Sequence, residues 1–144
     1  MEVKRLDGIG ITFKGTGSYL PQQVLSNHDL SRIVDTNDNW IKTRTGISNR
    51  RISKTSEDVS SMGYEAALKA LKMANWSADS VDLIILATST PSDLFGSAPI
   101  IQSKLGAKNA FAFDLTAACS GFLFALITAS QYLKAGSYRR ALVI

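Results

Sequence analysis

The sequence predicts an α/β fold built on a mostly parallel sheet. Three observations carry that reading. Apolar runs of strand length alternate with helical periodicity along the chain, the pattern left by successive strand–helix–strand units. One of those runs, VDLIILAT over residues 81–88, is apolar almost throughout rather than at alternate positions, as a strand buried on both faces must be. The composition is that of a packed globular protein, 45% hydrophobic and 19% charged over 144 residues. That balance excludes a disordered or low-complexity chain.

The elements follow in order. Residues 9–20 (IGITFKGTGSYL) read as a strand, β-branched early and Gly-rich later, closed by Pro21. Ser26 is placed to cap a short helix over 27–34. A second helix holds Asp38, Trp40, Ile41 and Arg44, with Gly46 as its stop. Thr55 and Asp58 have the spacing of a capping box. Val59, Met62, Ala66, Ala70 and Ala74 follow at threes and fours and make one apolar helical face. After the strand at 81–88, Pro91 and Asp93 mark a loop, and Pro99 suits the first turn of a helix ending near Gly106. Residues 110–115 read as a short strand, 120–135 as a helix with Gly136 past its end, and 141–144 as the opening of another strand. An apolar strand left unfinished lacks backbone partners. The expectation is that these 144 residues are the first part of a longer polypeptide.

Charge and cysteine usage narrow the functional classes. The 16 basic and 12 acidic side chains leave a net charge of +4, too mild for a dedicated nucleic-acid binder. Lys42, Arg44, Arg50, Arg51 and Lys54 fall in a stretch without carboxylates. Such a cluster can meet phosphates or an acidic partner, but charge alone favours a solvated loop. Cys119 is the only cysteine and His28 the only histidine, so no internal disulfide and no ordinary metal site is expected. Charged residues among the first twenty are unlike a signal peptide, and no apolar run approaches the roughly 18 residues of a membrane span. A cytoplasmic protein without a membrane partner is the default.

The chemistry points to Cys119. A strand ends near Leu115, a turn of small residues follows, and Cys119 sits where the helix at 120–135 begins. Free N–H groups and the positive end of the helix dipole meet at such a position. They favour the thiolate, a good nucleophile towards a thioester, and the same N–H groups would then hold the oxyanion. Ala117, Ala118 and Gly121 leave room for a narrow substrate channel. The competing reading is a small buried hydrophobe, the commoner fate of a free cysteine. For Trp40, too, the plain alternative is a partly buried core aromatic.

Three motifs in order resolve these alternatives: GTGSYLP at 15–21, DTNDNWIKTRTGI at 35–47 and DLTAACSGF at 114–122. With them the chain resembles the β-ketoacyl-acyl carrier protein synthase III family, from about Gly8 to Ile144. The last motif is shared more loosely with other thiolase-like enzymes. The resemblance implies the N-terminal half of a thiolase-like fold, with helices on both faces of the sheet. It implies a single N-terminal domain over residues 1–144, truncated relative to the complete enzyme. It makes Cys119 the acyl-accepting nucleophile, acetyl-CoA the acyl donor and substrate rather than a cofactor, and malonyl-acyl carrier protein the condensing partner. Trp40, Arg44 and Thr36 match the family's CoA site; Trp40 offers a flat face to adenine, and Arg44 can stack or meet a phosphate. Phe95 matches a position lining the acyl pocket across a homodimer interface. A homodimer is expected, since the apolar helices and the strand after Asn109 lack cover in one chain. The His and Asn that decarboxylate the malonyl group in the family have no counterpart here, and His28 reads as a surface residue.

Three other readings compete. A half-length, non-catalytic fragment, or another thiolase-superfamily acyltransferase, fits the same motifs. A cysteine hydrolase would want Gly-x-Cys-x-Gly and a later His; residues 117–121 lack the first glycine. A dinucleotide module would want a third glycine where Leu20 stands.

Overall fold

The computed structural model describes residues 10–144. The described residues divide into two compact units, one of residues 20–58 and one of residues 10–19 with 59–144.

The smaller unit is a β-ribbon with two short helices. Strands β1 (Gln23–Ser26) and β2 (Asn49–Ile52) pair antiparallel, Gln23 opposite Ile52. Helix α1 (Asn27–Leu30) starts with the cap expected at Ser26, and the structure makes it a full capping box: the Ser26 side chain accepts from the Asp29 N–H, and Asp29 answers the Ser26 N–H. It stops four residues before the expected end, because the chain goes on in turns, with Arg32 N–H donating to Asp29 O and Ile33 N–H to Leu30 O. Helix α2 (Asp38–Thr45) ends at Gly46, in the left-handed region at φ 71°. Its only buried residue is Ile41. The basic stretch is helix and strand rather than the expected loop, while Lys42, Arg44, Arg51 and Lys54 are exposed, as a solvated face requires. Arg51 Nη1 donates to Pro21 O at 3.1 Å, and Arg50 Nη1 donates to Asn27 Oδ1 at 2.6 Å.

The larger unit is a three-stranded parallel sheet. Helix α3 (Val59–Ala74) precedes β3 (Leu83–Ala87), α4 (Ala98–Leu105), β4 (Phe111–Leu115), α5 (Gly121–Lys134) and β5 (Ala141–Val143). The strand order is β4-β3-β5. Leu83 pairs with both Phe111 and Ala141, and both ladders are parallel. Central β3 is buried on both faces, as its unbroken apolar run requires. Ile84 and Leu86 pack with Ala67, Leu71, Ala98 and Ile101, whereas Leu83 and Ile85 pack with Ala125 and Ala129. Alternation along one strand thus places α3 and α4 on one face and α5 on the other.

Two expectations need correction here. The fully buried face of α3 is Ser60, Gly63, Ala67 and Leu71; of the expected stripe, Val59 and Ala70 pack against that core while only partly buried, and Met62, Ala66 and Ala74 are half-buried. Apolar spacing missed it because Ser60 and Gly63 are too small or polar to register as core. The second failure is the strand at 9–20. Ile9 lies outside the described residues, and residues 10–20 form no strand. This segment lies along α3 instead, and a Cβ on Gly17 would stand 2.0 Å from Ala66 O, one on Gly15 2.3 Å from Ala70 O. Glycine therefore serves close backbone approach here. Lys69 Nζ donates to Ser18 O at 2.7 Å. An apolar hollow is lined by this segment together with Leu142, Val143 and Ile144. Among the described residues, no helix is long and apolar enough to cross a membrane.

Candidate functional site

In an open α/β sheet, ligands bind outside the carboxyl ends of the strands, where the strand order reverses. Here the chain leaves β3 towards β4 and returns to pair β5 on the other side. The loops at that end follow β3 and β4, and they carry Phe95 and Cys119 respectively. Thr116 Oγ1 donates to Thr88 O at 2.8 Å, and Thr88 N–H to Leu115 O at 3.1 Å, so the two loops leave the sheet stitched together. Asp114, one residue before the end of β4, accepts from the N–H groups of Ser97 (2.8 Å) and Ala98 (2.7 Å). Ser97 gives α4 no side-chain cap of its own. Asp114 supplies the missing cap from across the sheet, which fixes the far end of the Phe95 loop.

Cys119 lies in a 3-10 turn, Ala118–Ser120, and is exposed. The buried-hydrophobe reading therefore does not hold. Helix α5 begins at Gly121, one residue later than expected, so Cys119 stands one turn ahead of it. Ala118, directly before it, sits at φ 45°, a left-handed conformation costing a non-glycine residue roughly 1–2 kcal/mol. The turn comes close to the sheet, since a Cβ on Gly121 would stand 3.3 Å from Ala87 Cβ. One detail departs from expectation. Ser120 N–H donates to Ala117 O and Gly121 N–H to Ala118 O, so these two amides are engaged by the turn rather than free for an oxyanion. Phe95 is 90% exposed, with its N–H on Asp93 Oδ1 at 2.8 Å.

The remaining candidates share the smaller unit. Trp40 is 52% exposed, not a core aromatic, and the Arg44 guanidinium carbon lies 4.8 Å from its ring centre. Thr36 and Trp40 line one concavity together with Val34, Ile41 and Arg50. Asn37 caps α2 by accepting from the Trp40 N–H at 2.9 Å. The Asn27 amide donates to Asp38 Oδ1 at 2.9 Å, and Lys42 Nζ lies 2.9 Å from Asp38 Oδ2. The Asn27 hydrogen bond, then the Lys42 ammonium, hold the Asp38 carboxyl below the usual aspartate range. Sequence reasoning missed the Asn27–Arg50 link, which spans 23 positions and leaves no periodic signal. His28 is exposed, as expected. No metal-ligating cluster occurs among the described residues.

Known proteins resemble this chain along its whole length. The family model for 3-oxoacyl-[acyl-carrier-protein] synthase III matches residues 113–144. A β-ketoacyl-[acyl-carrier-protein] synthase III of Prochlorococcus marinus (strain MIT 9515) is 70% identical over all 144 residues, which cover 43% of that protein. Among solved structures, the 3-oxoacyl-[acyl-carrier-protein] synthase III of Aquifex aeolicus VF5 superposes with a TM-score of 0.86 at 50% identity, covering 89% of this chain and 42% of that one. A priming β-ketosynthase of the R1128 polyketide pathway superposes at 0.85 with 38% identity, covering 88% of this chain and 38% of that one. The chain thus spans less than half the length of the proteins it matches. The resemblance read from the motifs holds, and the fold is the N-terminal half of the thiolase-like fold of these synthases.

Proposed function

We propose that this chain, similar throughout to the N-terminal part of β-ketoacyl-acyl carrier protein synthases III, supplies the acyl-accepting half of the initiating condensing enzyme of type II fatty acid synthesis. The observation that carries the reading is the exposed Cys119 thiol at the carboxyl end of a parallel sheet, on the turn before α5. In the proposed first step, Cys119 Sγ attacks the carbonyl carbon of acetyl-CoA. The bond from that carbon to the CoA sulfur breaks, and the thiol proton ends on the departing CoA. In the second step, malonyl-acyl carrier protein loses carbon dioxide. Its α-carbon bonds to the acetyl carbonyl carbon, the bond from that carbon to Cys119 Sγ breaks, and the leaving thiolate takes a proton from water, giving acetoacetyl-acyl carrier protein and a free Cys119 thiol. Trp40 offers adenine the ring face opposite Arg44, Thr36 borders the same concavity, and Phe95 borders the acyl chain in a homodimer. The work is cytoplasmic.

Decarboxylation needs groups that stabilise a carbanion, and His28, the only histidine, sits on α1 of the smaller unit. The 144-residue chain therefore accepts acetyl without condensing it. The test supplies labelled acetyl-CoA and malonyl-acyl carrier protein together. Label held on the chain with no acetoacetyl product supports this division. Acetoacetyl-acyl carrier protein made by the 144 residues alone would overturn it. The second reading is a non-catalytic half-length fragment or another thiolase-superfamily acyltransferase. It draws on the 43% share of the relatives' length and on the polyketide-pathway neighbour; a chain taking up no label supports the fragment.

A further inference from the structure

Helix α2 carries both Trp40 and Arg44, yet it has eight residues and a single buried side chain, Ile41. So short a helix does not hold itself in place. What holds it is Asn27, the first residue of α1, which is 1% exposed. Both amide hydrogens are used, and the amide oxygen accepts from a cation. Nδ2 donates to Asp38 Oδ1 at 2.9 Å and to Ile47 O at 2.8 Å, and Oδ1 accepts from Arg50 Nη1 at 2.6 Å. Asp38 is the first residue of α2, and Ile47 follows the glycine that ends it. One buried side chain therefore ties both ends of the helix to β2. The charges also fix the amide's orientation: its oxygen faces the Arg50 cation and its nitrogen the Asp38 anion.

We infer that Asn27 is a positioning residue for CoA, clamping α2 at both ends so that the Trp40–Arg44 pair is presented in one orientation to the adenine end of the ligand. The inference rests on the proposed CoA role of that pair. Asn27 touches no ligand itself; it acts through Asp38 and Ile47.

The test uses Asn27→Asp in the whole chain, in a Trp76→Phe background so that Trp40 alone fluoresces. Trp76 lies in the larger unit, under Arg140. At about pH 5 the introduced carboxyl, when protonated, still offers a donor to Asp38. At about pH 8 two carboxylates face each other, with Arg50 on one side and Lys42 on the other. On Asn27's own helix, both proteins carry His28→Gln, which removes the imidazole beside the introduced carboxyl, and Asp29, held below its usual range by the Ser26 hydrogen bonds, stays ionised at both pH values. The ratio of CoA dissociation constants is expected to rise about tenfold between those pH values, the effect of raising the introduced carboxyl roughly two pKa units above the ordinary aspartate value of about 3.9. Trp40 emission should shift over the same range without ligand. A ratio flat with pH, together with unchanged Trp40 emission, would overturn the inference. If the parent binds no CoA, the proposed ligand fails, and the emission titration still decides the clamp: a shift supports it and no shift overturns it.

Discussion

Replacing Asp114 by Ala tests how the two loops of the candidate site are held. The carboxylate accepts from Ser97 N–H at 2.8 Å and Ala98 N–H at 2.7 Å, one bond on each oxygen. Ser97 and Ala98 are themselves buried, so water does not readily replace the lost acceptor. A hydrogen bond to a charged group contributes about 1.5–3 kcal/mol, and a lost helix cap costs about 0.5–2 kcal/mol. The two bonds share one carboxylate and do not add in full. The expected loss is therefore about 2–4 kcal/mol, read from urea unfolding. Hydrogen exchange provides the local assay, since the amides of residues 97 and 98 should exchange faster than the amides of β3. A loss under about 0.5 kcal/mol, the size of an ordinary surface substitution, with unchanged exchange at those amides, would refute the capping argument. Asp114→Asn keeps the shape but turns an N–H donor towards one of the two amides, so it should recover only part of the loss.

Three further outcomes follow from the geometry. The Asp38 carboxyl is held low by Asn27 and Lys42, so its contribution to stability is complete above the ordinary aspartate range and disappears as pH falls through its folded value; NMR titration should place that midpoint below an unfolded aspartate, and Asn27→Ala should raise it. Gly17→Ala puts a Cβ 2.0 Å from Ala66 O, so the segment must lift from α3 at a cost of about 1–3 kcal/mol; an unchanged melting curve would show that the segment is not pressed there. Arg44→Ala removes the cation from the Trp40 face and should weaken CoA binding more than it slows acyl transfer, whereas unchanged affinity in a calorimetric titration would remove Arg44 from the site.

The larger unit was readable because its central strand is an unbroken run of large apolar side chains. The run at 81–88 announced a central strand, and Gly46, Gly106 and Gly136 marked helix ends that the structure places in left-handed conformations. The failures share a cause. The strand expected at 9–20 needs a neighbouring strand within hydrogen-bonding reach, and a short segment cannot signal what lies beside it. The face of α3 turned on Ser60 and Gly63; a Cβ on Gly63 would meet Ile101, so its burial reflects close approach rather than hydrophobicity. At the site, the strand–turn–helix setting pointed to Cys119 and the motifs to Trp40 and Arg44. The supports behind them, Asp114 for one loop and Asn27 for one helix, arise from contacts 16 or more positions apart or from a buried amide between charges. Neither leaves a local pattern.

Cys119 as the acyl acceptor is the claim on which the functional reading most depends. The direct measurement is the intact mass of the chain after incubation with acetyl-CoA, followed by peptide mapping, alongside Cys119→Ala. One added acetyl group is expected, located on Cys119 and absent from the variant. An unchanged mass, or an acetyl group that persists in Cys119→Ala, would contradict that role.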